Sequence, residues 1–392
     1  MSEWKKVKLG DICARVTSGG TPKANVSSYY YPPTVPWLKT KEVNYCRITE
    51  TENYISEEGL NNSSAKMISP NSVIIAMYGQ GDTAGRVAIN KIPLTTNQAC
   101  CNLTIDEHKA DFEFIYYQLC TLYNKMVSLK AGAAQPNLNA QIIKNLEILL
   151  PVLPIQHHIA TILSRYDSLI ENYQKQIKLL EEAAQRLYKE WFVDLHFPDH
   201  ENTKIVDGVP EGWEKKRLVD LVDVQYGYAF DGKLFNSNGE GMPILRIRNI
   251  PDGITSDYTT EEAQDCYIVH NGDIVVGMDG IFHINSWSGG DAYLVQRACS
   301  FRPKVEEMKG FIFQAIQEPI KFFEKTLVGA TVAHLGKKHI DSIELCVPKS
   351  MELYDPFSKQ YEQRQILLSQ IRLLTEARDR LLPKLMSGEI AV

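Results

Sequence analysis

Residues 155–195 read IQHHIATILSRYDSLIENYQKQIKLLEEAAQRLYKEWFVDL. Apolar or near-apolar residues recur at Ile162, Tyr166, Leu169, Tyr173, Ile177, Leu180, Ala184, Leu187 and Trp191. Steps that alternate mostly between four and three put them on one stripe of a helix. No Gly or Pro interrupts the stretch, and Lys, Gln, Glu and Asn fill the other faces. A helix this long with so narrow a seam needs a second helix to cover it.

Residues 357–386 supply the second helix: FSKQYEQRQILLSQIRLLTEARDRLLPKLM. Gln176-Ile177-Lys178-Leu179-Leu180 aligns with Gln370-Ile371-Arg372-Leu373-Leu374, and Arg186-Leu187 then falls on Arg380-Leu381 without a gap. Helix two is therefore a copy of helix one. Its seam is Leu367, Ile371, Leu374, Leu381 and Leu385, interrupted at Arg378. The alternative is that each helix packs only on its own domain.

The segments ahead of the two helices are duplicated as well. Trp4-Lys5-Lys6-Val7-Lys8-Leu9-Gly10-Asp11 answers to Trp213-Glu214-Lys215-Lys216-Arg217-Leu218-Val219-Asp220. Pro36-Trp37-Leu38-Lys39 answers to Pro243-Ile244-Leu245-Arg246, the apolar run ending at Met77 to that ending at Met278, and 138–151 to 335–348. The chain is read as domain 1–151, long helix 152–197, domain 198–350 and long helix 351–392. Within each domain, short β-rich runs (72–77, 273–278, 343–347) lie between turn clusters, and a helical stretch follows at 112–129 and 310–327. The expected fold class is α+β: two duplicated domains, each followed by a long helix, with the two helices covering one another's seams.

The 392 residues suffice for two cored domains, and 23% charged with 44% hydrophobic residues is ordinary globular usage. Met1-Ser2-Glu3-Trp4-Lys5-Lys6 leads into no apolar segment, so no signal peptide is expected. Eight scattered cysteines without a CxxC point to reduced thiols in a cytoplasm rather than a disulfide frame or zinc site. A net charge of −6 argues against blanket coating of nucleic acid but leaves local basic loops open. Residues 1–150 hold 15 Lys+Arg against 13 Asp+Glu, and residues 201–348 hold 15 against 22.

Catalytic patterns fail on inspection. Met77-Tyr78-Gly79-Gln80-Gly81 resembles a glycine turn that cradles S-adenosylmethionine, but no Asn/Asp-Pro-Pro-Tyr/Phe loop exists to hold a flipped base. Pro198-Asp199 followed by Glu214-Lys215-Lys216 has a nuclease outline with the wrong spacing. His196 and His200 lie across Pro198, His157-His158 reads as a solvated pair, and no GxxxxGK[ST] occurs. No catalytic or metal residue is assigned.

The remaining candidates are loops suited to DNA. In the first half they are Ser18, Gly19, Thr21 and Lys23, then Lys39 and Lys41 beside Trp37, then Tyr78, Gln80 and Arg86. The glycine-rich stretch offers backbone N–H groups, and Gln and Arg can pair with base edges. In the second half they are Tyr228, Arg246, Arg248, Asn249, Arg297, Lys337 and Lys338. For each, the alternative is a solvated loop charge or a structural turn.

In its order of motifs the chain resembles the specificity (S) subunits of type I restriction–modification systems. The motifs are Trp4…Leu9-Gly10-Asp11, Ser18-Gly19-Gly20-Thr21-Pro22, Pro36-Trp37-Leu38, Thr96-Asn97-Gln98-Ala99, Leu150-Pro151…Pro154-Ile155-Gln156 and the ending Leu382–Ile390. The resemblance implies a subunit that is not itself an enzyme, with two DNA target-recognition domains whose following helices form an antiparallel coiled coil. It also implies a bipartite double-stranded DNA target and two methyltransferase (M) subunits carrying S-adenosylmethionine for adenine N6 methylation. Restriction (R) subunits would cleave unmodified DNA, in phage defence, and this chain would bind no cofactor itself. A stand-alone DNA adenine methyltransferase is the alternative. The second half departs from the pattern, with Tyr226-Gly227-Tyr228-Ala229-Phe230 where the first has Ser-Gly-Gly-Thr-Pro.

Overall fold

A computed structural model describes residues 4–131, 137–327 and 333–392; of the opening hexapeptide, Met1-Ser2-Glu3 lie outside the described residues. The chain divides into two compact units, Met1–Ser168 with Thr375–Val392, and Leu169–Leu374. The boundaries fall inside the long helices rather than at their ends, so each unit owns a piece of both.

In unit 1 a five-stranded sheet runs in the order Cys13–Ser18, Cys100–Ile105, Val73–Ala76, Val87–Asn90, Cys46–Ile48. Both central hairpin strands, Val-Ile-Ile-Ala and Val-Ala-Ile-Asn, are buried along their whole length, which is why they lack an apolar–polar alternation. A smaller sheet orders Tyr54–Ile55, Val35–Leu38 and Thr95–Thr96, the last two in parallel. Lys5–Lys8 pairs antiparallel with Glu147–Leu150, tying the first residues to the strand that enters helix one. The helical stretch expected at 112–129 is two helices, Phe112–Thr121 and Tyr123–Ala131, the first capped by the Asp111 carboxylate on Phe114 N (2.8 Å).

Unit 2 repeats the plan. The counterpart of the five-stranded sheet has four strands here, in the order Val222–Tyr226, Ala298–Pro303, Ile274–Gly277 and Ile284–Ser286. The counterpart of the three-stranded sheet has five, Met242–Leu245 again lying parallel to Ala292–Leu294, and Trp213–Arg217 pairs with Glu344–Pro348. Lys309–Ala315 and Gln317–Thr326 stand where unit 1 has its helix pair.

Helix one spans Leu153–Tyr188 and ends in a widened π turn, Lys189–Val193; helix two spans Asp355–Ser387. In unit 1, Ile159, Ala160 and Leu163 of helix one and Leu385 and Met386 of helix two share a core with Phe114, Ile115 and Leu9. In unit 2, Phe192, Phe357 and Tyr361 share a core with Phe311 and Ile274, with Leu187, Tyr188 and Trp191 packed against it.

The seam of helix one differs from the expected one in its first half. Leu169 is 43% exposed, and Leu163, Asp167 and Ile170 are buried where Ile162, Tyr166 and Leu169 are expected. Ile162 and Tyr166 are half-buried at its edge. From Tyr173 on the two agree: Ile177 and Ala184 are buried, and Tyr173, Leu180 and Leu187 half-buried. The offset arises because Asp167, a polar residue that apolar counting passes over, occupies the seam. Arg378 Nη1 donates to Asp167 Oδ1 at 2.7 Å, and Tyr117 Oη donates to Asp167 Oδ2 at 2.5 Å. Arg378, the interruption in helix two, is thus a partner rather than a flaw. Its guanidinium is pulled down by burial but held net above its usual range by Asp167 and Asp379. On helix two Leu367 and Leu385 are buried, and Ile371, Leu374 and Leu381 half-buried.

Candidate nucleic-acid interface

The glycine-rich turn is structural first. Gly19 N donates to Cys100 O at 3.1 Å and Gly20 N to Thr96 O at 2.8 Å, so these N–H groups are not available to DNA. A Cβ on Gly19 would stand 2.1 Å from Asn97 O, and one on Gly20 2.1 Å from Ala65 N. Both glycines are buried, which corrects the reading of Gly19 as a DNA contact. Its absence of a side chain lets two backbones meet. Gly227 holds the same position in unit 2: its N donates to Ala298 O, and a Cβ there would stand 2.2 Å from Val295 O. Ser18, Thr21 and Lys23 flank the unit 1 turn and are exposed.

After each parallel strand pair comes one tight 3-10 turn. In unit 1 this is Thr40–Glu42, where Glu42 Oε1 accepts from Lys39 N at 3.0 Å. In unit 2 it is Ile247–Asn249, where Asn249 Oδ1 accepts from Arg246 N at 2.9 Å. The Asn249 side-chain carbonyl is therefore engaged as a cap. The cations beside the turns stand on aromatic rings, Lys39 Nζ 5.0 Å from the Trp37 centroid and Arg246 5.3 Å from that of Phe235.

Lys41, Arg86, Arg248 and Arg297 carry counter-ions. Lys41 pairs with Glu52, whose hydrogen bond holds the ammonium above its usual range. Arg86 Nη2 donates to Asp82 at 2.6 Å and Nη1 to Asn44 Oδ1 at 3.0 Å, and the Arg86 hydrogen bond keeps the Asp82 carboxyl below its usual range. Arg86 thereby joins the Tyr78–Arg86 loop to the segment just after the Lys39–Lys41 turn. In that loop Gln80 is exposed while Tyr78 is half-buried against the core.

In unit 2, Arg248 grips the largely buried Asp257 through Nη2 at 2.6 and 2.7 Å and through Nε at 3.2 Å. Arg297, in the left-handed region at φ 73°, meets Asp279 at 3.1 Å, and His334 Nδ1 meets the other Asp279 oxygen at 2.5 Å. Leu335 N donates to Met278 O, so the loop bearing Asp279 and the short helix Lys337–Asp341 are adjacent, with Lys337 and Lys338 exposed. Tyr228 is 37% exposed and packs on Phe230 and Tyr267.

Sequence reasoning passed over Asn44, Tyr45 and Tyr123 in unit 1 and Asp279 and His334 in unit 2. Tyr45, at φ 52°, lies edge-on to Tyr123 with centroids 6.4 Å apart, and desolvation pushes its phenol up to about 12. Position in the duplicate could have signalled Asn44 and Tyr45, just after the basic turn, and Asp279, beside Met278. Such a surface presents paired cations, amides and aromatic edges, a set suited to phosphate and base contacts. Phosphate would compete with Asp82, Glu52 and Asp279 for their cations.

A model of the type I restriction modification DNA specificity domain matches residues 1–182 and again 210–375. The chain is 28% identical to the MjaIX type I restriction enzyme specificity subunit of Methanocaldococcus jannaschii, over 100% of this chain and 94% of that one. It is 26% identical to the MjaVIII specificity subunit of the same organism, over 88% and 82%. The crystal structure of a type I restriction–modification S subunit from M. genitalium shares the fold at TM-score 0.59 and 18% identity, covering 98% of this chain and 96% of that one. With both halves matched in this way, the chain belongs to the type I restriction–modification DNA specificity family.

Proposed function

We propose that this chain is the specificity subunit that selects a bipartite double-stranded DNA site for a type I complex, unit 1 reading one half and unit 2 the other. The observation that carries the reading is a duplicated frame presenting different side chains. Gly19 and Gly227 close the same turn, Glu42 and Asn249 cap the same 3-10 turn, and Lys39, Arg86, Arg246 and Arg297 differ in what they offer. Phosphate contacts would position each unit and base edges would specify.

Helices one and two form an antiparallel coiled coil in this reading. Its support is the order of ion pairs: from Asp167 to Glu181 up helix one, the partners run from Arg378 back to Arg364 on helix two. Two M subunits, carrying the S-adenosylmethionine and the methyl transfer, would dock symmetrically, with R subunits joining them. The duplicated leucines Leu179 and Leu373 support twofold docking, since they are 64% and 56% exposed at equivalent places on the two helices. The assembly would act in the cytoplasm; among the described residues no helix is long and apolar enough to cross a membrane.

The test is methylation-sensitive sequencing of DNA from cells carrying this chain with its M subunits. A two-part motif with an unread spacer is expected, and a single continuous motif would overturn the reading. The alternative, a stand-alone methyltransferase, is not favoured by the comparisons. It requires the isolated chain to bind S-adenosylmethionine and transfer methyl groups, and no binding is expected.

A further inference from the structure

The two helices are copies, yet the ion pairs between them are not. In unit 1, Asp167 of helix one holds Arg378 of helix two. In unit 2, Glu181 of helix one accepts from Arg364 Nε of helix two at 2.6 Å, and Arg364 is 7% exposed. Under the alignment of Gln176–Leu180 with Gln370–Leu374, the helix-two equivalents of Asp167 and Glu181 are Tyr361 and Thr375. The helix-one equivalents of Arg378 and Arg364 are Ala184 and Ile170. Neither acid and neither arginine is repeated, although the leucines around them are.

We propose that these ion pairs are a partner code, with acids on helix one and arginines on helix two, so that the seams accept each other within one chain and reject a second copy of themselves. The inference rests on the antiparallel pairing read above. Two copies of a duplicated chain could otherwise exchange helices, because an apolar seam alone does not distinguish helix one from helix two. Pairing helix one with another helix one sets Asp167 against Ala184 and Glu181 against Ile170. Pairing helix two with helix two sets Arg378 against Tyr361 and Arg364 against Thr375. The register is supported in unit 2, where Ala184 and Tyr361 line the same small cavity. Each wrong pairing takes Arg364 and Glu181 away from their counter-charge and leaves Asp167 only Arg47, 3.8 Å away, and Arg378 only its neighbour Asp379, which is unfavourable, whereas the intramolecular pairing satisfies all four. A polar residue at an isolated seam position selecting partner and register is a known use of such groups in coiled coils. Arg364 also donates to Asn285 Oδ1 at 2.8 Å and to Ser286, which anchors the arginine side of the code to its own domain.

The test moves the code onto one helix in the full-length chain. In the combined variant Ala184→Arg, Ile170→Arg, Arg378→Ala and Arg364→Ile, each helix-one self-pair has four acid–arginine contacts and the intramolecular pair has none. Light scattering should give a one-chain mass for the native protein and a two-chain mass for the variant. A folded variant of one-chain mass overturns the code. If the variant does not fold, the exchange Glu181→Arg with Arg364→Glu decides. It should regain at least half of the Tm lost by each single change, and no regain overturns the proposal. A native chain whose methylated site is not bipartite would overturn the helix-pair reading itself. A bipartite native site with a one-chain combined variant overturns only the code.

Discussion

Units 1 and 2 solve the same structural problems with different side chains. The carbonyl that ends the strand entering helix one, Pro151 O, accepts from Gln156 Nε2 at 2.7 Å, and its counterpart Pro348 O accepts from Tyr354 Oη at 2.7 Å. One glycine closes each recognition turn and one polar side chain caps each basic turn, as carboxylate in unit 1 and amide in unit 2. What changes is the tethering of the cations. The Arg86 partners are a 74% exposed Asp82 and the amide of Asn44, whereas Arg248 is bound bidentately to a carboxylate only 12% exposed. The comparison teaches that the hydrogen-bond frame is held fixed while the presented groups vary. It also answers the acidic excess of residues 201–348: part of it, Asp257 and Asp279, is spent on holding arginines in place.

The largest effect that could break this comparison is at the helix pair of unit 1. Arg378→Ala takes from Asp167, with its side chain 11% exposed, the guanidinium at 2.7 Å and leaves it Arg47 at 3.8 Å, and should cost about 3 kcal/mol of unit 1 stability. Denaturant titration followed by unit 1 tryptophan fluorescence reads it, and a loss under about 1 kcal/mol would mean the pair is dispensable. Next come the matched glycines. Gly19→Ala and Gly227→Ala should each cost about 2 kcal/mol by forcing backbones apart, and by similar amounts if the turns are true counterparts. A tolerated Gly227→Ala would show that only unit 1 needs the close approach.

Smaller again is Arg248→Ala, expected to cost about 1–2 kcal/mol of unit 2 stability because it strips the donors from Asp257. Lys41→Ala should cost well under about 1 kcal/mol of stability, its pair with Glu52 being exposed. If Lys41 reaches phosphate, the same change lowers the salt slope of DNA binding by about one unit for every sequence alike. Equal stability losses for Arg248→Ala and Lys41→Ala would remove the distinction between tethered and presented cations.

The duplication, the two long helices and the basic turns were legible because each leaves a sequence period or a repeated string. The helix-one seam before Tyr173 was not, since Asp167 is buried by partners contributed from Tyr117 and Arg378, which no local period encodes. Gly19 read as a source of free backbone N–H groups because sequence shows a missing side chain but not the backbone oxygen 2.1 Å from where a Cβ would be. Asn249 and Glu42 were equally mute, for a capping role depends on which N–H the fold brings within reach. Likewise Asp82 and Asp279 came to light only through the arginines they hold.

The central claim is that each unit reads its own half of the DNA target. It is tested most directly by mapping methylated sites, in cells with the M subunits, for the native chain, Arg86→Ala and Arg297→Ala. Each substitution should relax the site at one position by about 1–3 kcal/mol of discrimination, Arg86→Ala in one half and Arg297→Ala in the other. Relaxation of the same half by both, or of both halves by either, would contradict the account.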